Sequence, residues 1–234
     1  MSLPEEPFEP TTEPDGDGSL APTPEPDGVG AFEPAVPDEA AARGAFRHIG
    51  ERDRYVAERL RVVTATFVGP DGFTFEREVV RTFDAVCVVA VESDSEHALL
   101  VRQYRGPVGS ALLEIPAGKL DVEGETTRDC AARELAEEVG VLAGELTELA
   151  SFYNSPGFCD EMTTCFLARE LSKGERWSDG IEERHLVIER VALGETEELV
   201  AAGEIRDAKT ITGLLLARSH LAARDQAPAL PPAW

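Results

Sequence analysis

Apolar and polar positions along this chain assign most of its elements before any chemistry is considered. Residues 60–68 alternate and stop at Gly69-Pro70-Asp71-Gly72, and residues 73–80 resume the pattern, which predicts a β-hairpin. Residues 85–91 are almost continuously apolar, as a strand covered on both faces requires. A polar turn at 92–97 leads into another strand, 98–105. Alternation there puts Arg102 and Tyr104 on one face and Arg105 on the other or in the next loop. Residues 126–139 carry Ala131, Ala132, Leu135, Ala136 and Val139 at helical spacing, with Thr126 or Thr127 as the start and Gly140 as the stop. Residues 146–152, 162–168 and 186–191 read as strands. Residues 193–201 form a short helix that Gly203 can end, and a longer helix runs from about Ala208 to Ala222. Strands and helices mixed in this way predict an α/β protein.

The amino-terminal region departs from this pattern. Residues 1–42 are rich in Pro, Glu and Asp, have no apolar periodicity and contain no basic residue, so a disordered acidic tail is expected there. Eleven acidic residues precede Arg43, about half of the net charge of −23. Such a balance excludes nucleic acid and anionic membrane as partners, because both would repel the chain before contact. No apolar run reaches spanning length, and the first residues lack the basic start and apolar core of a signal peptide. A soluble cytoplasmic protein is the expectation. Cys87, Cys130, Cys159 and Cys165 have no zinc spacing, and Cys87 and Cys130 fall in apolar positions that suit buried, reduced thiols. Residues 223–234, with Pro228, Pro231 and Pro232, read as a frayed tail.

Two features carry candidate chemistry. Glu114 interrupts an apolar run, where a carboxylate wants a cation or a hydrogen-bond donor. On the predicted helix Glu134 and Glu138 are four apart and share a face. Like charges so placed cost helix stability, so an inward-facing pair calls for a cation, and hard oxygen ligands suit Mg2+ or Mn2+ beside a phosphate. Charge spacing alone equally describes a solvated acidic face.

The full stretch from Gly118-Lys119-Leu120-Asp121 to Arg133-Glu134-Leu135-Ala136-Glu137-Glu138-Val139-Gly140-Val141 resembles the box of the Nudix hydrolase family. That pattern is Gly, five residues, Glu, seven residues, Arg-Glu, an aliphatic residue, any residue, Glu-Glu, any residue, Gly and an aliphatic residue. Arg133 to Val141 matches every fixed position. Gly118 to Glu125 encloses six residues rather than five, an insertion near Val122-Glu123-Gly124 that a loop can absorb, with Gly124 helping it turn. Residues 101–105, 114–119, Tyr153-Asn154-Ser155-Pro156-Gly157-Phe158 and residues 203–210 are similar to the ADP-ribose pyrophosphatase branch, so the resemblance covers roughly residues 46–222.

The resemblance implies a Nudix α/β/α sandwich with a mixed sheet, occupying residues 84–222. It also implies a homodimer in which residues 58–82, within an amino-terminal hairpin region 43–83, are exchanged between subunits. The implied reaction is metal-dependent hydrolysis of ADP-ribose to AMP and ribose 5-phosphate, or of a related nucleoside diphosphate sugar. Glu134 and Glu138 would hold Mg2+, with Mn2+ as the other option, joined by Glu114 and the carbonyl of Ala117. Glu137 would share a metal or orient the site. A late-loop acid, Glu182 or Glu183 with Asp179 behind them, would serve as base. Arg77, Arg102 and Arg105 would meet the diphosphate, and Tyr104 and Phe158 would offer an aromatic surface to the base. Arg133 would tie the helix to its acids. The alternatives are a noncanonical nucleoside triphosphate pyrophosphohydrolase and a noncatalytic nucleotide-binding protein on the same fold.

Overall fold

The computed structural model describes residues 45–176 and 184–225. The acidic tail, the carboxyl-terminal tail and the loop acids Asp179, Glu182 and Glu183 lie outside the described residues.

Two sheets form. Strands β1 (Arg47–Val56), β2 (Leu60–Val68) and β3 (Thr74–Thr82) make an antiparallel three-stranded sheet in that order. The expected hairpin is β2–β3, in register from Leu60 opposite Thr82 to Val68 opposite Thr74. β1 was not expected, and it extends that hairpin on the free side of β2. It buries none of its residues, so it offers no apolar signal; ion pairs Arg52–Glu76 at 2.6 Å and Arg61–Asp53 at 2.7 Å accompany its backbone ladder.

The larger sheet runs β10 (Val187–Ala192), β5 (His97–Arg105), β4 (Ala85–Val91), β9 (Met162–Lys173) and β8 (Val141–Tyr153). β4 and β9 are parallel and the other neighbours antiparallel, so the sheet is mixed. β4 and β5 pair only at Ala90–Leu99 and Val91–Ala98 and then separate. The gap is filled by β6 (Ser110–Glu114) on β5 and β7 (Ala117–Lys119) on β4. Pro116 sits at the crossing between them, where its missing N–H costs nothing and its carbonyl accepts from Val88 N–H at 2.9 Å.

β4 is buried at every residue, and its alternation divides the core. Val86, Val88 and Ala90 face Cys130, Ala131, Leu135 and Val139 of the box helix. Cys87, Val89 and Val91 face Leu214 and Ala217 of the carboxyl-terminal helix, with Ile205 and Leu193. A helix on each face of the mixed sheet is the α/β/α sandwich. The box helix comprises α1 (Thr127–Glu134) and a π-helical turn, Leu135–Val139, ended by Gly140 at φ 71°. Thr126 caps it, accepting from Asp129 N–H at 3.2 Å. The later helices are α2 (Thr196–Ala201) and α3 (Ala208–Asp225). Cys87, Cys130 and Cys165 are buried free thiols, and burial pushes Cys130 up to about 12.

Candidate active site

The box folds back so that its loop, its short strand and its helix meet. The extra residue before the helix is taken up in a turn: Glu125 N–H bonds Val122 O at 3.1 Å, with Gly124 between them at φ 78°. A side chain at that dihedral would be strained, so Gly124 absorbs the insertion without moving Glu125 from the helix. Arg133 then gathers the acids. Its guanidinium bonds both oxygens of Glu125 at 2.9 and 3.0 Å, Glu134 at 2.7 Å and Glu137 at 3.2 Å, and it reaches Lys119 O at 3.3 Å. Three carboxylates so close are tolerable because one fixed cation lies among them.

Glu134 and Glu138 point from the helix at β7. Both are nearly enclosed, at 8% and 6% exposure. Glu138 Oε2 accepts from Ala117 N–H at 3.0 Å. The Glu134 carboxylate lies on Gly118 so closely that a Cβ there would stand 1.9 Å from Glu134 Cδ. Gly118 is therefore the floor on which Glu134 rests, which is the physical reason for glycine at this point. Two buried carboxylates beside the backbone of one short, half-buried strand form a donor set of hard oxygens, and this set fits Mg2+ or Mn2+. The wide π turn begins just after Glu134 and contains Glu138, and such turns occur frequently at functional sites.

The other expected residues fall in three groups. Arg105 joins the centre: its Nε and Nη2 bond the two oxygens of Glu114 at 2.8 Å each. The hydrogen bonds to Glu114 hold the Arg105 guanidinium above its ordinary value. Glu114, expected as a metal ligand, thus has both oxygens on Arg105. Arg102 pairs instead with Glu189 across β5–β10, at 2.5 and 3.2 Å. Tyr104 and Phe158 are both more than half exposed. Phe158 is presented by a turn that is tied down on several sides. Its carbonyl accepts from Val80 N–H at 2.7 Å, Asn154 and Lys119 both bond Glu161, and Arg81 bonds Asp160 at 3.0 Å. Arg77 lies exposed on β3, with its guanidinium 4.8 Å from the Phe75 ring centroid and donating to Glu76 O at 2.7 Å.

Two residues outside the expected set form a chain to Glu114. Asp207 caps α3, accepting from Thr210 N–H at 2.9 Å, and its other oxygen holds Lys209 Nζ at 2.7 Å. Lys209 Nζ in turn lies 3.5 Å from Glu114. The signal available for them was their place in residues 203–210, which carry the family resemblance, and Asp-Ala-Lys-Thr before an apolar helix, which reads as a cap; neither assigned them a role. Elsewhere Glu92, Asp94 and His97 cluster at the β4–β5 turn. Arg190 already pairs with Glu92 and, at 2.7 Å, with Asp94, so that cluster is a surface ion-pair group.

Acid should loosen this arrangement. The hydrogen bond from Arg133 holds Glu125 below its ordinary value of 4.5. Burial acts to raise Asp207, but the Lys209 charge and the bonds from Lys209 and Thr210 outweigh it and hold Asp207 below 3.8. A depressed carboxyl stabilises the fold fully above its unfolded value and loses that contribution as pH falls through the folded one. The melting temperature is therefore expected to fall below about pH 4.5. In Arg133→Gln, Glu125 loses the cause of its depression, so the melting temperature near neutral pH should be lower and its fall on acidification shallower. Identical melting curves against pH for both proteins would remove Arg133 from that role.

The NUDIX domain family model matches residues 81–214, which is more than half of the chain. The chain belongs to the Nudix family. This Nudix hydrolase is 42% identical over 141 residues to the ADP-ribose pyrophosphatase of Bacillus subtilis (strain 168), covering 60% of this chain and 75% of that protein. It is 38% identical over 142 residues to the methanol dehydrogenase activator of Bacillus methanolicus, covering 61% and 76%. Among solved structures, an ADP compounds hydrolase superposes with a TM-score of 0.68 at 22% identity, over 80% of this chain and 99% of that one. That likeness is one of fold. Sequence places the chain in the ADP-ribose pyrophosphatase-like branch. No helix among the described residues is long and apolar enough to cross a membrane.

Proposed function

We propose that this Nudix hydrolase cleaves the pyrophosphate bond of ADP-ribose to AMP and ribose 5-phosphate, or that of a related nucleoside diphosphate sugar. The observation that carries this reading is the enclosed pair Glu134 and Glu138 against Ala117 and Gly118, beside the Arg105–Glu114 pair. Glu134, Glu138 and the Ala117 carbonyl would hold Mg2+, or Mn2+, and Glu114 would join them only when Arg105 lets go of it. A bound divalent ion would offset charge on the nonbridging oxygens and lower the pKa of water.

The protein's own groups do the rest. Arg105 meets the diphosphate with a planar fork suited to phosphate oxygens. Glu137, fixed by Arg133, orients the centre. Glu182 or Glu183 takes the proton of the attacking water, a role that rests on resemblance. Tyr104 and Phe158 lie against the nucleoside, and Arg102 stands near the entry as a second phosphate contact. The three-stranded sheet exposes Ile49, Tyr55 and Val56, with Phe46 and Phe73 just before β1 and β3, which suits burial in a homodimer that would bring Arg77 to the partner's site. Four free cysteines fit a reducing, cytoplasmic setting.

The decisive test is product analysis by liquid chromatography on purified protein with each metal, over ADP-ribose, nucleoside diphosphate sugars, dinucleotides and nucleoside triphosphates. AMP and ribose 5-phosphate from ADP-ribose, dependent on metal, are expected. Turnover confined to triphosphates would reject the substrate class, and none across the panel would favour a binding protein. A monomer by light scattering at working concentration would reject the dimer.

A further inference from the structure

A second cation joins Arg105 at Glu114, and none of the steps above uses it. Glu114 is 1% exposed and carries one negative charge, yet two cations face it. Arg105 takes both oxygens at 2.8 Å, and Lys209 Nζ lies 3.5 Å from Oε2. Lys209 is itself held in place. Asp207 bonds its ammonium at 2.7 Å, and Asp207 is fixed by Thr210 N–H at 2.9 Å and Thr210 Oγ1 at 2.8 Å. The same Thr210 hydroxyl accepts from Ile115 N–H at 2.9 Å, so the first turn of α3 is fastened to the end of β6 beside Glu114. The burial of Lys209 acts to lower its pKa, but the charges of Asp207 and Glu114 outweigh this and keep it a cation.

The two cations differ in what they can do. Arg105 is 36% exposed at its side chain and Lys209 18%, so Arg105 is the more open of the two to solvent and to an incoming anion. An arginine that pairs fully with a buried carboxylate is poorly placed to greet an incoming anion. Turning toward a diphosphate means giving up bonds to Glu114, and a buried charge left alone is strongly unfavourable. A second cation already in range removes that obstacle.

We propose that Lys209, clamped by Asp207, is the standing counter-ion of Glu114 that lets Arg105 exchange Glu114 for the substrate's diphosphate. Lys209 is thus a positioning residue, acting through Glu114 and Arg105 without touching substrate. This inference rests on the reading of Arg105 as the diphosphate contact.

The test is calorimetric binding of ADP-ribose to the full chain without divalent metal, beside steady-state kinetics with Mg2+. Lys209→Met is expected to weaken metal-free binding about tenfold or more and to raise KM more than it lowers kcat. Lys209→Arg, which keeps the charge, should stay within about threefold of the parent. The informative variant is Glu114→Gln combined with Lys209→Met. A neutral amide needs no counter-ion, so the second substitution should cost little once the first is made. A merely structural lysine would cost the same in both backgrounds. Lys209→Gln serves the same comparison should the Met variant fail to fold. Unchanged binding in the Lys209 variants, or equal losses with and without Glu114→Gln, overturns the inference. If the parent binds ADP-ribose with this pattern but does not hydrolyse it, the proposed reaction falls and the inference stands. If the parent hydrolyses ADP-ribose and the pattern is absent, the reverse holds. A parent that neither binds ADP-ribose without metal nor hydrolyses it with Mg2+ overturns both.

Discussion

Glu138→Gln is expected to lower metal-dependent turnover on the order of 10²–10³-fold while leaving the melting temperature equal or slightly higher. The argument runs from what each atom does. Glu138 is 6% exposed, and Oε2 accepts from Ala117 N–H at 3.0 Å. A glutamine carbonyl can accept that same bond, so β7 keeps its place against the helix. What disappears is the charge. Without a cation bound, two carboxylates four apart on one helix repel, and neutralising one relieves the fold. With a divalent ion required, the same change removes a charged oxygen ligand. Turnover and stability should therefore move in different directions. Turnover within about threefold of the parent, at saturating substrate and Mg2+, would take Glu138 out of the metal centre.

Gly118→Ala should have the second largest effect, through a neighbour rather than through its own chemistry. The new Cβ would meet Glu134 Cδ and Oε1 at 1.9 Å and Oε2 at 2.4 Å, closer than atoms can approach. The backbone of β7 is paired to β4 at Ala85–Lys119, Val86–Gly118 and Cys87–Ala117, so the strand cannot retreat easily. Glu134 must move, stretching its 2.7 Å bond to Arg133. Expected are a loss of about 10–100-fold in turnover and a stability cost of about 1–3 kcal/mol, read from kinetics and denaturant melts. A variant that keeps both parent values would show that Glu134 is not needed where it lies.

Much of this arrangement was legible in the chain. The box helix, its Thr126 start and its Gly140 stop follow from periodicity and capping, and Gly124 turns the inserted residue as its placement suggested. β4 was readable because burial on both faces leaves an unbroken apolar run. Other features left no such trace. β1 buries nothing and is a string of charged residues whose partners lie on β2 and β3, so its pattern carries no period. β8 begins at Val141, directly after the helix, where its alternation merges with the helical stop. The π turn keeps the same residues as an α turn would and differs only in hydrogen bonding. The Lys209 contact was hidden by distance along the chain: Thr210 meets Ile115 across 95 positions, and a sequence read alone offers no reason to join them.

The join between the two sheets bears on where this enzyme begins. The family resemblance divides a hairpin region from a hydrolase domain between residues 83 and 84. Yet the turn that presents Phe158 is fastened upstream of that line, by Val80 at 2.7 and 3.3 Å on its two backbone sides, by Thr82 N–H on Asp160 at 3.3 Å, and by Arg81, which spans Glu51 and Asp160. Lys119 of the box adds a bond to Phe83 O at 3.0 Å. A fragment begun at residue 84 would retain every box acid and still lose the partners that hold the turn presenting Phe158. Trimming the gene to the stretch with recognisable motifs would therefore part the Phe158 turn from the strands that hold it.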